Sequence, residues 1–148
     1  MKVVFRVDSS SQIGSGHIIR CLTLARSLRN SGAECHFVCR SFPDSYSYLI
    51  RNQGYQLSEL PFNEQWSQQD DAKIANQVKH ASWLGADANS DAEQTITAIG
   101  ELEIDLLVVD HYAIDEIWES KLREISKEIL VIDDLADRNH DCDYLLDQ

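Results

Sequence analysis

Two uninterrupted apolar runs, each closing on an aspartate, restrict the possible folds of this chain more than anything else in it. Residues 105–110 read Asp-Leu-Leu-Val-Val-Asp, and residues 128–133 read Glu-Ile-Leu-Val-Ile-Asp. A strand with one face in water alternates apolar and polar residues. A run that is apolar at nearly every position belongs to a strand covered on both faces, the condition inside a parallel sheet. Strand-like and helix-like patterns alternate around these runs. Residues 3–7 form a first strand, and Ile18, Cys21, Leu22, Ala25 and Leu28 mark one face of a helix that Ser31-Gly32 stops. A second strand covers residues 34–40. A short helix through Tyr48, Leu49 and Asn52 follows, capped by Asp44 or Ser45, and residues 55–60 form a third strand closed by Pro61. Residues 63–79 are polar and predicted helical in their second half. A loop carrying Trp83, Gly85 and Asp87 comes next, and Asp91 starts a helix bearing Ile96, Ile99 and Leu102. Residues 115–126 are predicted helical with Ile117, Trp118, Leu122 and Ile125 on one face, and residues 144–146 form a short last strand. Strands alternating with helices over short connections predict an α/β three-layer sandwich with a mostly parallel sheet, one domain over residues 1–148. The sequence stops two residues after a strand-like segment, where an α/β unit would continue. The expectation is therefore a domain cut from something longer.

Bulk properties exclude several function classes. The net charge of −12, with no cluster of lysine or arginine, argues against a phosphate-tracking nucleic-acid surface. That acidity reads as a solubilising surface. No apolar run approaches the roughly 20 residues needed to span a bilayer, and Met1-Lys2-Val3-Val4-Phe5 runs straight into a strand without a signal-peptide pattern. The expected setting is cytoplasmic, without membrane contact. Four cysteines suit a reducing compartment. Cys21 lies on the apolar helix face, and Cys35 and Cys39 share strand parity with Phe37. A metal set drawn from Cys35, His36, Cys39, His140 and Cys142 lacks any Cys-x-x-Cys pair, so core thiols are expected, with no metal and no cofactor.

The chemistry concentrates in residues 8–20, Asp-Ser-Ser-Ser-Gln-Ile-Gly-Ser-Gly-His-Ile-Ile-Arg, between the first strand and the first helix. A strand, a glycine loop and a helix in succession aim backbone N–H groups and the positive helix end at whatever lies over the loop, which favours an anionic ligand. The loop is not a dinucleotide fingerprint, because Ile19 stands at the third glycine position, nor is it a P-loop, which would need Gly-Lys-Ser/Thr. Gly14 and Gly16 still permit close approach of a ligand to the backbone. His17 sits at the helix start, where the dipole disfavours the imidazolium form, and a neutral imidazole is competent as a general base. Arg20, one turn later, can hold an anionic or polar group. Ligands of parallel α/β sheets bind at the carboxyl ends of the strands. Asp8, Asp110-His111-Tyr112 and Asp133-Asp134 all fall at that edge. Each aspartate could equally be a helix cap, and His17 a plain loop histidine.

These residues resemble a known family. Arg6-Val7-Asp8 followed by residues 13–25 (Ile-Gly-Ser-Gly-His-Ile-Ile-Arg-Cys-Leu-Thr-Leu-Ala) is similar to the opening of the UDP-2,4-diacetamido-2,4,6-trideoxy-β-L-altropyranose hydrolases of pseudaminic acid biosynthesis. The blocks at residues 107–112, 131–138 and 140–148 look like the same family, in order and over nearly the whole chain. The resemblance implies the N-terminal, Rossmann-like half of a two-domain GT-B architecture, similar to MurG-type glycosyltransferases. It implies a metal-free hydrolysis in which water attacks the anomeric carbon with inversion, releasing UDP and the free sugar. It makes His17 the catalytic base and puts Gly14, Gly16, Arg20, Asp110, His111 and Tyr112 on the substrate side. Most UDP contacts would come from a C-terminal domain absent from these residues, against which this domain would pack. The small-molecule UDP-sugar would be the partner, and the isolated chain would be weakly active at best. Two other readings stay open: a glycosyltransferase that activates a sugar hydroxyl instead of water, and a non-catalytic acidic α/β signalling domain. The second lacks the acidic pair such a domain wants after its first strand, since three serines follow Asp8.

Overall fold

The computed structural model describes residues 1–67 and 78–148. Six strands form one sheet in the order β3-β2-β1-β4-β5-β6, and every neighbouring pair is parallel. The strands are β1 (Lys2–Val7), β2 (Glu34–Arg40), β3 (Gln56–Leu60), β4 (Ile104–Asp110), β5 (Ser126–Ile132) and β6 (Tyr144–Leu146). The helices are α1 (Gly16–Asn30), α2 (Tyr48–Asn52), α3 (Glu64–Ser67), α4 (Ala88–Ile99) and α5 (Glu116–Leu122), with a 3-10 turn at Ala81–Leu84. The chain winds outward from β1 to β3, then crosses back over the sheet to β4. The strand order therefore reverses between β1 and β4.

Strand alternation divides the core in two. On one face Val3, Phe5 and Val7 of β1 meet Ile18, Cys21 and Leu22 of α1, and Phe5 stacks on Phe37 with ring centroids 4.6 Å apart. On the other, Val4, Leu107 and Val109 meet Ala92 and Ile99 of α4 and Trp118 and Leu122 of α5. Both faces are covered, which is why the β4 and β5 sequences carry no polar alternation. Gly32, at φ +94, closes α1 as its sequence predicts: its N–H and that of Ala33 bond back to Arg29 and Leu28.

Several element boundaries differ from expectation. Helix α4 begins at Ala88, not Asp91, and its cap is Asp87, whose carboxylate accepts the Ser90 N–H at 2.8 Å. Both aspartates precede the apolar spacing, but Asp91 lies inside the first turns, wholly buried, and Leu102 falls past Gly100, beyond the helix. Helix α5 stops at Leu122, and Ser126 already belongs to β5. Ile117 is 64% exposed, so only Trp118 and Leu122 form its core face. Ser47 stands at the cap of α2, and Asp44 instead accepts the Ser11 N–H. Trp83 lies on the 3-10 turn rather than in an open loop. The helix expected in the second half of residues 63–79 falls almost wholly outside the described residues. Among the described residues no helix is long and apolar enough to cross a membrane.

Candidate active site

The reversal between β1 and β4 opens a crevice at the carboxyl ends of the strands, where ligands of open α/β sheets bind. Two segments meet there: the loop from β1 to α1, and the end of β4. The loop is tied by a Gly14 N–H to Ser10 carbonyl bond of 2.7 Å, and Ser10 Oγ accepts the Ile13 N–H. Gly14 has φ +83, a backbone state that a side chain would strain. Gly16 has no such need. A Cβ there would meet nothing within 4 Å. The open space above Gly16 lies at the first turn of α1, whose cap residue Ser15 makes no side-chain cap bond.

Asp110 ends β4 on the α1 face, and three α1 residues converge on it. His17 Nδ1 lies 2.5 Å from Asp110 Oδ1. Arg20 grips the same carboxylate with both arms, Nε at 2.5 Å from Oδ2 and Nη2 at 2.6 Å from Oδ1. The Cys21 thiol donates to Oδ2 at 3.6 Å. The spacing of 17, 20 and 21 puts these side chains on one helical face. Burial opposes ionisation of Asp110, but the hydrogen bonds from Arg20 and His17 outweigh it and hold the carboxyl below its usual range. With Asp110 ionised, only a protonated Nδ1 can bond to it, which fixes the ring's orientation and puts a proton on Nδ1. The 3.3 Å approach of Arg20 Nη2 to Nδ1 is then a contact between two donors, not a bond. Nε2 of His17 has no hydrogen-bond partner among the described residues. The dyad orients an imidazole whose Nε2 can accept a proton.

Tyr112 covers one side of this imidazole, its ring edge-on to His17 with centroids 4.7 Å apart. Its hydroxyl donates to Asp134 Oδ1 at 2.7 Å; burial first, then that carboxylate, push the phenol up to about 12.

The expected residues therefore separate. His17, Arg20, Asp110 and Tyr112 come together beside Gly14 and Gly16. His111 does not join them: alternation at the end of β4 turns it to the opposite face, where it is 4% exposed. Its Nδ1 accepts the Ala113 N–H at 3.0 Å, and Nε2 donates to Asp8 Oδ2 at 2.8 Å. Burial keeps this ring neutral, lowering its pKa despite Asp8. Asp8 in turn takes Arg6 Nη1 and the Arg40 N–H, each at 2.6 Å, and belongs to a sealed ionic network with Asp91. Asp133 pairs with Arg138 at 3.0 Å, and Arg138 also donates to the backbone oxygens of His111 and Ile114. Arg138 thus braces the loop that carries Tyr112. Sequence reading placed Asp134 at this edge but missed Cys21, His80 and Trp83 as neighbours of the site. Of these only Cys21 carried a signal, its place one residue after Arg20. The five candidate metal ligands scatter: Cys35 and Cys39 lie in the α1-side core, Cys142 packs on the other, His36 pairs with Ser58, and His140 with Glu119. Among the described residues no group of three metal-ligating side chains converges.

No family model matches the chain. Over 147 residues, 99% of its length, it is 32% identical to the UDP-2,4-diacetamido-2,4,6-trideoxy-beta-L-altropyranose hydrolase of Campylobacter jejuni. It spans 41% of that relative's length. MurG of Acinetobacter baumannii superposes with a TM-score of 0.55 at 11% identity, covering 88% of this chain and 34% of MurG. The likeness expected from the motifs is thus met along nearly the whole chain, and the fold is that of one Rossmann-like half of a GT-B architecture.

Proposed function

We propose that this domain forms the sugar-and-water half of a hydrolase acting on a UDP-linked 2,4-diacetamido-2,4,6-trideoxy hexose. The observation that carries the reading is the His17–Asp110 dyad, clamped by Arg20 at the switch point with Nε2 unoccupied. Water held by His17 Nε2 attacks the anomeric carbon. Its proton passes to Nε2 as the C1–O bond breaks, and the electron pair of that bond leaves with UDP. Attack opposite the leaving group inverts C1. The imidazolium so formed lies against the Asp110 carboxylate, which stabilises it without moving. UDP is a good leaving group, so the larger demands are positioning and deprotonating water. Gly14 and Gly16 let the sugar approach the loop, while Arg20 and Tyr112 shape its side of the crevice. His111 acts through the backbone: anchored to Asp8, it fixes the end of β4 so that Asp110 faces α1.

In this reading the remaining UDP contacts come from a second domain packing on this crevice, and the setting is cytoplasmic pseudaminic acid synthesis; that the chain spans 41% of the relative's length supports the first of these. The 148-residue chain alone would bind UDP weakly. The test is incubation of the intact protein with the UDP-sugar in ¹⁸O-water without an acceptor. Stoichiometric free sugar, labelled at C1 and inverted, is the expected product. UDP release only on adding a sugar acceptor would make the protein a transferase instead.

A further inference from the structure

Asp110 is buried at the end of β4, where desolvation by itself favours the protonated acid. A protonated acid can donate a hydrogen bond, and a neutral imidazole has one nitrogen that donates and one that accepts. The contact between Asp110 and His17 Nδ1 therefore has two possible directions. Running from an Asp110 hydroxyl to Nδ1, it would leave the ring's own proton on Nε2 and close the lone pair that a base needs. Running from Nδ1 to the carboxylate, it leaves Nε2 open.

Arg20 decides between the two. Its Nε bonds Oδ2 at 2.5 Å and its Nη2 bonds Oδ1 at 2.6 Å, so each oxygen of Asp110 faces a guanidinium N–H. Arginine stays charged and has no acceptor to offer, so these two bonds cannot reverse. The buried Cys21 thiol adds a donor on Oδ2 at 3.6 Å; burial pushes its pKa well up and keeps it protonated. Burial opposes the charge on Asp110, and the Arg20 hydrogen bond is the strongest effect against that opposition. Both partners come from fixed places: Ile18, Cys21, Leu22 and Ala25 seat α1 in the core, and β4 is paired on both sides. The anionic group expected for Arg20 is thus one of the protein's own. Its Nη1 has no partner among the described residues, and 22% of the side chain is exposed, so direct contact with substrate is the rival role.

We propose that Arg20 is a positioning residue: its two-bond clamp on Asp110 fixes the direction of the Asp110–His17 hydrogen bond and so keeps Nε2 of His17 free to accept a proton. The proposal rests on the general-base reading of His17 and deepens it, naming what sets the tautomer of the base. The two roles of Arg20 differ in their kinetics. Loss of a positioning residue lowers kcat and leaves KM, because the group is needed only as the proton moves. Loss of a group that holds substrate equally before and during reaction raises KM instead.

The test compares intact wild type with Arg20→Met, which keeps an apolar stem, and Arg20→Lys, which keeps the charge but not the planar fork. Turnover of the UDP-linked 2,4-diacetamido-2,4,6-trideoxy sugar is measured beside the imidazole ¹⁵N spectrum, followed from about pH 6 to about pH 9 across the titration range of histidine. The His17 signals are identified by their loss in His17→Asn. In the wild type the nitrogen that gives up its proton should be Nε2. In Arg20→Met part of the population should show Nδ1 unprotonated instead, and kcat should fall roughly 10- to 100-fold with KM within about twofold of wild type. Arg20→Lys should lie between the two in both readouts, and it decides alone if Arg20→Met does not fold. A KM raised about tenfold or more, with kcat and the ¹⁵N pattern unchanged, would make Arg20 a substrate ligand and overturn the proposal. A folded Arg20→Lys with wild-type kcat and a wild-type ¹⁵N pattern would overturn it too. Turnover by His17→Asn would instead sink the base assignment, while the ¹⁵N pattern still shows whether Arg20 sets the tautomer.

Discussion

On the α1 side of the sheet's carboxyl edge, His17, Arg20 and Asp110 meet; on the α4 side, His111, Arg6, Arg40, Asp8 and Asp91 meet. Both assemblies join histidine, arginine and aspartate by bonds of similar length, and they use that chemistry differently. The α4-side network is dry: Arg6 and Asp91 are wholly buried, and Arg40 and Asp8 are 1% exposed. Asp91 accepts from Arg6, Arg40 and the Trp118 indole, and both nitrogens of His111 are occupied. Two guanidinium groups face two carboxylates, which offsets the cost of dehydrating them. The one buried atom of that network left without a partner among the described residues is a donor, Arg40 Nε, whereas the α1-side cluster leaves an acceptor, Nε2 of His17. A dry network of ion pairs positions strands; a network with one free lone pair can move a proton.

Breaking the dry α4-side network should have the largest effect. Asp91→Ala leaves the Arg6 and Arg40 charges buried with half their partners, and should cost about 3–5 kcal/mol in urea unfolding. A loss under about 1 kcal/mol would mean the network is not sealed. Asp110→Asn sharpens the contrast. The side chain keeps its shape, but its amide can turn an N–H toward His17 Nδ1 and favour the wrong tautomer. Turnover by the intact protein should fall at least a hundredfold while the unfolding midpoint moves much less. Equal losses in activity and stability would return Asp110 to a purely structural role.

The smallest effect concerns a third histidine, between these regimes. His140 Nδ1 meets Glu119 Oε1 at 2.7 Å and Nε2 meets Asp133 Oδ2 at 3.3 Å. Burial opposes its charge, but the Glu119 hydrogen bond prevails and the pKa is raised above 6.5. A raised histidine contributes stability that is fully present below its unfolded pKa and lost as pH rises through the folded value. Thermal midpoints of the wild type should therefore fall more than those of His140→Gln as pH climbs from about 5.5 to about 8.5. Parallel curves would show that His140 is not charged in the fold.

How much of this was legible depended on whether a residue announced itself by period or only by place. The apolar runs ending at Asp110 and Asp133 disclosed parallel strands, and the glycine loop before His17 disclosed the crevice. Asp110-His111-Tyr112 was legible as a block but not as a division of labour. Adjacent residues at a strand end face opposite sides, so Asp110 went to the dyad and His111 to the sealed network. Asp91 looked like a helix cap because aspartate before apolar spacing usually is one. Nothing local says that Arg6 and Arg40, distant in sequence, will need its charge inside. His80 and Trp83 follow a polar stretch without periodicity, and only the folded turn brings their rings to Tyr112.

The most direct measurement is kcat/KM of the intact His17→Asn protein on the UDP-linked diacetamido sugar, with its urea midpoint determined alongside. His17 supports no other group in the fold through Nε2, and its loss removes one hydrogen bond to Asp110, so activity should fall by roughly 10²–10⁴ while unfolding stability drops by no more than about 3 kcal/mol. Turnover within about threefold of wild type would contradict the assignment of His17 as the base.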